Sequence, residues 1–389
     1  MKGYRYIKLY MKRLNERVKS KGKIVVQHLN CRRVPLHCFW RNVIIMKALM
    51  KMRHGVGNIE LVDVPEPICG PDGVKVEIKY AGICGTDIHI YHDTFKSYPP
   101  VILGHELSGV VAETGIKINN VKPGDRVAIL GSSAVTCGTC EYCTQGYYMY
   151  CPIRRGMGHG VNGGFTKYVT VREDMVYKLP ESVSLEEGAL TEAFASAVQA
   201  IEEMTAFNIG DVVLLSGPGP IGLLCIALIA AHGCKVIAAG TGADETRLEI
   251  AKKLGADVLV NVDKDNLEEI VNGETGGKGA DIAVECAGAE ASISSCLKLV
   301  RKMGKYIQLG IAGRPVTVDV DQILRKRLRI FGSEGHSLKT WERTMRILEQ
   351  RKVDLTPIIT HKLPLSRWKE GFDLCETKGG GKVLLSYDE

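Results

Sequence analysis

Four cysteines fall within 15 residues, as Cys137-x2-Cys140-x2-Cys143-x7-Cys151, and offer four soft thiolates to a single ion. Tetrahedral zinc takes such a set at about 2.3 Å per Zn–S bond. With every position filled by protein, such a site is structural. A second set is sparser: Cys84 in Ile83-Cys-Gly-Thr-Asp-Ile-His89, and His105 in Gly104-His-Glu106. A catalytic zinc needs three protein ligands and one open position. Cys84 and His105 supply two, and the third must be a carboxylate or thiolate. By spacing alone, His105 is as readily a structural histidine as a ligand.

A third pattern, Gly217-Pro218-Gly219-Pro220-Ile221-Gly222, follows the apolar run Val212–Leu215 and opens an apolar helix. This is G-x-G-x-x-G in the context it needs: a tight turn, room for a pyrophosphate, and close helix–sheet packing. The helix N-terminus then supplies amides and dipole to the phosphates. The second strand of such a unit ends in an acid when NAD is preferred. Here it ends Ala239-Gly240-Thr241-Gly242. Without that acid, Thr241 or Arg247 can meet a 2′-phosphate, while Arg247 can equally lie along the adenine. The expected cofactor is NAD or NADP, with a slight lean to NADP.

The elements that must carry these residues change character along the chain. From Met46 to about Glu192 the text is strand-like and turn-rich, with Val74-Lys75-Val76-Glu77-Ile78 alternating. Between about 211 and 334, strands and helices alternate. Strands are expected at 212–215, 235–239, 258–261, 282–285, 305–309 and 329–332, with a helix over 245–254, Asp244 as N-cap and Gly255 as stop. Repeated β-α units imply a parallel sheet with right-handed crossovers. The segment 337–389 carries a helix near Trp341–Gln350 and a short strand, Lys382–Leu385, and is too small to stand alone. Residues 212–234 contain no charged side chain and are long enough to span a bilayer, but Gly217-Pro-Gly-Pro220 interrupts them. A buried strand, a turn and a buried helix explain this stretch.

Composition sets the outer bounds. The 389 residues carry a formal charge of +7, divided unevenly: residues 1–45 hold +11 and the remaining 344 hold −4. The first 23 residues place Ile7, Tyr10, Met11, Leu14 and Val18 on one helical stripe among Lys and Arg. That suits a membrane-surface helix, a nucleic-acid arm, a presequence or a dispensable extension. The body has no such excess, so neither nucleic acid nor membrane is expected as its partner. Thirteen cysteines without a secretory leader point to a reducing cytoplasm and a metal site rather than a disulfide scaffold.

From Met46 to its C-terminus the chain resembles the zinc-dependent medium-chain dehydrogenase/reductase family, in its polyol (sorbitol) and threonine dehydrogenase branch. The matching residues are Gly82–His89, Leu103–Gly109, Lys122–Val127, the four-cysteine lobe, Gly163–Tyr168, Glu187–Glu192 and the glycine fingerprint. The resemblance implies an α/β chain: a GroES-like, mostly-β catalytic domain plus a doubly wound Rossmann cofactor domain. The implied division is a basic extension at 1–45, a catalytic domain at 46–192 with its zinc lobe at 137–151, a dinucleotide domain at 193–336, and a return segment at 337–389. Two zinc ions per subunit are implied. The catalytic one is held by Cys84, His105 and a glutamate, with Glu192 preferred and Glu106 the rival, usually an outer or exchanging group.

By the same resemblance Thr86 hydrogen-bonds the reacting oxygen and His89 passes its proton to solvent, while Asp87 orients the loop. Hydride moves between a secondary alcohol and the nicotinamide, giving a ketone. A polyol or sugar alcohol ranks first as substrate, then L-threonine, then a simple secondary alcohol. The open loop 156–164, including His159, is a candidate lining of the substrate pocket. Relatives form dimers or tetramers, so a homo-oligomer is implied. The rival from another class is a zinc-stabilised dinucleotide-binding regulator with a basic nucleic-acid arm; the open-site ligands and relay pair argue against it.

Overall fold

The computed structural model describes residues 44–387, so the basic extension lies, but for its last two residues, outside the described residues. The first half is built of β1 (Ile45–Lys51), β2 (Ile59–Pro65), β3 (Gly73–Gly82), β4 (Val101–Ile102), β5 (Glu106–Thr114), β6 (Arg126–Leu130), β7 (Tyr168–Arg172) and β8 (Val176–Lys178). Next come β9 (Val212–Ser216), β10 (Lys235–Gly240), β11 (Val258–Asn261), β12 (Ala280–Glu285), β13 (Val300–Gln308) and β14 (Arg329–Gly332); the last strands are β15 (Ile359–Pro364) and β16 (Lys382–Ser386). Strands β9–β14 form one parallel sheet in the order β11-β10-β9-β12-β13-β14. That is the doubly wound order, with its reversal between β9 and β12, where ligands bind beyond the strand C-termini.

Burial follows the pattern each sheet requires. In β3 the alternate residues Val74, Val76 and Ile78 are buried and pack in one core. In β9 Val213, Leu214 and Leu215 are all buried, because a parallel sheet is covered on both faces. The helix Pro220–Ala231 is buried almost all round, which accounts for the long uncharged stretch. Among the described residues no helix is long and apolar enough to cross a membrane.

The end of the chain returns to the first half. Strand β16 pairs with β3 and β15 pairs with β16, giving a sheet ordered β15-β16-β3-β5-β6-β8, with β7 also on β3. The helix Leu338–Gln350 seats Trp341, fully buried, in a core shared with Phe194 and Leu223. One core therefore runs through both halves.

The three fingerprint glycines serve three separate geometries. Gly217 has φ +96°, and a Cβ there would lie 2.5 Å from the Ala287 amide nitrogen. At Gly222 a Cβ would lie 2.1 Å from the Gly217 carbonyl oxygen, so helix and turn are in contact. Gly219 has no atom near its Cβ position; it precedes Pro220, the first residue of the helix, with Ile221 half-buried behind it. Gly217→Ala should therefore lower unfolding free energy by about 1–3 kcal/mol. Gly219→Ala should change it by less than about 0.5 kcal/mol and show its effect in dinucleotide affinity instead. Denaturant melts and fluorescence titration with reduced cofactor separate the two.

Candidate active site

Cys84 occupies the N-cap of the helix Gly85–Tyr91, just beyond the end of β3. Asp87, fully buried, accepts the Cys84 amide at 3.0 Å and the Gly104 amide at 3.3 Å. It thus joins the loop bearing Cys84 to the loop bearing His105. Burial pushes the Asp87 carboxyl up from its ordinary range, while the positive His105 pulls it down and only partly offsets this. Gly104 turns the second loop at φ +87°, with the Phe165 ring 2.5 Å from where a Cβ would stand.

Cys84, His105 and Glu106 bring a sulfur, a ring nitrogen and a carboxylate oxygen within 4.8 Å of one another. The Nδ1 of His105 is buried and has no hydrogen-bond partner among the described residues, so this donor set fits a cation. Burial acts to lower the His105 pKa, but the charge and hydrogen bond of Cys84 reverse this and leave it well above the usual range. Glu192 is not in that close group. It lies in the first turn of the helix Thr191–Val198, and its Oε1 is 3.4 Å from His336 Nε2. Burial would raise the Glu192 carboxyl; the His336 hydrogen bond, followed by the charges of His105, His336 and Lys382, brings it down to about 2. Thr86 is half-buried, its Oγ1 3.8 Å from the Cys84 sulfur, and His89 is exposed with Nδ1 3.1 Å from Thr94 Oγ1.

Two partners escaped the sequence reading. Lys382, at the start of β16, is buried with Glu106, its Nζ 2.6 Å from Oε1 and paired also with the other oxygen. Gly82 makes room for that carboxylate, since a Cβ there would lie 2.1 Å from Glu106 Oε2. His336, after β14, packs on Trp341 and reaches both Glu192 and Ser132. Each is far from its partner in sequence and belongs to no local motif.

The four lobe cysteines gather as their spacing predicts, all sulfurs within 4.8 Å of one another. Cys137 and Cys143 stand 3.9 Å apart, close to the edge of about 3.8 Å for a tetrahedron with 2.3 Å Zn–S bonds. Backbone amides of Thr139 and Cys140 point at the Cys137 sulfur and draw its pKa down to about 6. Cys151 accepts the Cys137 amide, and burial, with hydrogen bonds from the Cys143 thiol to the neighbouring cysteine sulfurs, pushes Cys143 up to about 12. The residues fit zinc.

At the corner beyond β10, Gly240 packs against Pro218, and Thr241 donates both its amide and its hydroxyl to Asp244. Asp244 does stand at the helix N-cap position, but its carboxylate turns back to this corner and makes no cap bond. Lys378 Nζ reaches the same carboxylate at 2.8 Å and lies 3.5 Å from the Thr241 hydroxyl. Arg247 is buried, with Nε donating to the Gly380 carbonyl at 2.9 Å and Nη1 3.4 Å from Asp244. Its guanidinium is committed to the protein, and Lys378 is the more exposed cation at the corner.

The chain matches the family described as "Alcohol dehydrogenase GroES-like domain" over residues 70–181 and the one described as "Zinc-binding dehydrogenase" over residues 220–350. A sorbitol dehydrogenase of Halalkalibacterium halodurans is 36% identical over 342 residues, covering 88% of this chain and 99% of that one. An L-threonine 3-dehydrogenase of Bacillus velezensis is 36% identical over 346 residues, covering 87% and 98%. Among solved structures, galactitol-1-phosphate dehydrogenase of Escherichia coli superposes with a TM-score of 0.78 at 27% identity, covering 88% of this chain and all of that one.

The buried Lys382–Glu106 pair gives a test that needs no metal. Lys382→Met leaves a buried carboxylate without its cation and should cost about 3–5 kcal/mol in a denaturant melt. Adding Glu106→Gln should restore most of that loss; additive losses in the double variant would refute the coupling.

Proposed function

From the chain's membership of the zinc-type medium-chain alcohol dehydrogenases, NAD(P)-linked oxidoreductases, we propose that it oxidises a secondary hydroxyl of a polyol or sugar alcohol to a ketone. The observation that carries this reading is the hydrogen-bonding surroundings of the Cys84–His105–Glu106 group. Thr86 and Ser132 supply hydroxyls, His336 and Glu192 a polar pair, and His159 an imidazole. Burial, then the charges of His105 and Arg154, holds His159 down to about 4, so it is neutral at physiological pH and can both donate and accept. The similarity to the threonine dehydrogenase makes L-threonine the second reading, and a simple secondary alcohol the third.

We assign two zinc ions per chain. Cys137, Cys140, Cys143 and Cys151 would hold the structural one. Cys84, His105 and Glu192 would hold the catalytic one, with Glu106 beside it. The charge of Glu106 is balanced by Lys382, whereas the contact from Glu192 to His336 is long. When bound, the catalytic ion supplies Lewis acidity toward the substrate hydroxyl. Thr86 accepts that hydroxyl's proton in a hydrogen bond. His89, one helical turn further and exposed, carries it to solvent while the carbinol hydride passes to the nicotinamide.

For the dinucleotide, Gly217, Gly219, Pro220, Ile221 and Gly222 would face the pyrophosphate. Gly240 and Thr241 would face the adenosine ribose. NADP is favoured slightly, because the strand ends without an acid and Lys378 offsets Asp244. A homo-oligomer is supported by the open edge strand β14, near which Ile311, Val320, Leu324 and Ile330 are exposed. A reducing, cytoplasmic setting is the one in which the four lobe thiolates stay available to a metal.

Two measurements test this. A panel of polyols, threonine and secondary alcohols, each with NAD and NADP, should give the highest kcat/KM with a polyol; tenfold preference for NAD would overturn the NADP assignment. Metal analysis after mild chelation should find two zincs per chain in the parent and in Glu106→Gln, but about one in Glu192→Ala and Cys84→Ser. Loss of zinc from Glu106→Gln alone would exchange the roles of the two glutamates.

A further inference from the structure

Arg154 lies three residues past the four-cysteine lobe and is half-buried. Its Nη1 donates to the Ser132 carbonyl at 2.8 Å and touches the Met149 sulfur at 3.2 Å. The segment it grips leads directly to the metal-binding group. Gly131 packs on the His105 carbonyl, a Cβ there falling 2.4 Å from the oxygen. The Ser132 hydroxyl stands 3.5 Å from His336 Nε2, which is itself 3.4 Å from Glu192. On the same carbonyl sits Gly156, whose Cβ position is 3.1 Å from Ser132 O and 2.5 Å from His159 Nε2. Arg154 and His159 thus flank one loop at the edge of the reaction centre.

The nearest carboxylates have partners of their own: Glu106 is paired with Lys382, Asp87 is held by two backbone amides, and Glu192 lies 3.4 Å from His336 Nε2. Arg154 forms an ion pair with no carboxylate of the described residues; Glu334, exposed, and Glu192 act on it only from farther away. Among the described residues its Nε and Nη2 meet no hydrogen-bond acceptor, so one edge of the guanidinium fork is left for a ligand. A half-buried cation in that state is favourable when the ligand brings the counter-charge, and a planar fork suits a carboxylate or phosphate.

We propose that the substrate polyol carries an anionic group, a carboxylate or a phosphate, along the chain from the reacting carbinol, and that Arg154 binds it. This rests on the polyol reading and narrows it. Anchored at Ser132, Arg154 would fix which hydroxyl faces Thr86.

The test measures turnover of sorbitol, gluconate and sorbitol 6-phosphate by the full chain, its Arg154→Gln variant and its Arg154→Lys variant. Titration of the complex with reduced dinucleotide, using gluconate and sorbitol 6-phosphate, reads binding independently of turnover. In the parent at least one anion should exceed sorbitol in kcat/KM by about 10-fold or more, through KM, and the carboxylate and phosphate arms identify which. Arg154→Gln should bring that ratio to about one and weaken anion binding by a similar factor, and Arg154→Lys should restore part of both. Equal preference in the parent, or the same loss on all three compounds in Arg154→Gln, overturns the proposal. If none of the three turns over yet an anion binds in an Arg154-dependent way, the polyol reading fails and the anion subsite stands. If neither turnover nor binding is seen, both fall.

Discussion

The buried pair between Lys382 and Glu106 is the constraint on which the site depends. Glu106 follows His105 directly, so holding its carboxylate holds the histidine's loop as well. Lys382 reaches it only because β16 returns from the far end of the chain to lie beside β3, next to β5. A charge pair in a low-dielectric interior is costly to assemble and more costly to break, so it penalises any arrangement in which the last strand is misplaced. The metal-binding loop is in this sense completed by the C-terminus.

The same return segment reaches two separate places in the structure. Within five residues it supplies Lys378 to Asp244 at the corner beyond β10, the Gly380 carbonyl to Arg247, and Lys382 to Glu106. Glycines make this crossing possible. A Cβ at Gly380 would lie 2.4 Å from the Thr360 hydroxyl, and one at Gly381 would lie 2.4 Å from the Ile358 carbonyl. The backbone therefore passes where side chains would not fit, and one short segment touches both the corner beyond β10 and the Cys84–His105–Glu106 group.

What the sequence disclosed follows from the range over which each feature acts. The four cysteines and the glycine fingerprint are local: their chemistry is complete within one turn or lobe, and the spacing alone describes it. The parallel sheet was legible for a related reason, since runs such as Val213–Leu215 must be apolar throughout when both faces are covered. Lys382, Lys378, His336 and Arg154 were not legible as site residues. Lys382 is 276 positions from Glu106, and a lysine in a short strand reads as an exposed edge residue until its partner is known. Asp244 shows the same limit at short range. It stands where an N-cap should, yet Thr241 and Lys378 compete for its oxygens and win.

Net charge misleads about the substrate for a physical reason. The body's −4 is a sum over a surface bathed in salt, where separations beyond about 8–10 Å are screened. A ligand at the metal-binding group feels instead the groups nearest to it, among which Glu106 is paired with Lys382 and Asp87 is held by two amides. Pairing cancels most of their long-range field, so a half-buried cation with no ion-pairing carboxylate among the described residues, such as Arg154, weighs more locally than it does in the net charge. A mildly acidic body can therefore carry a locally positive group such as Arg154, and the anionic end of a substrate would be drawn to it although the chain from residue 46 onward is acidic overall.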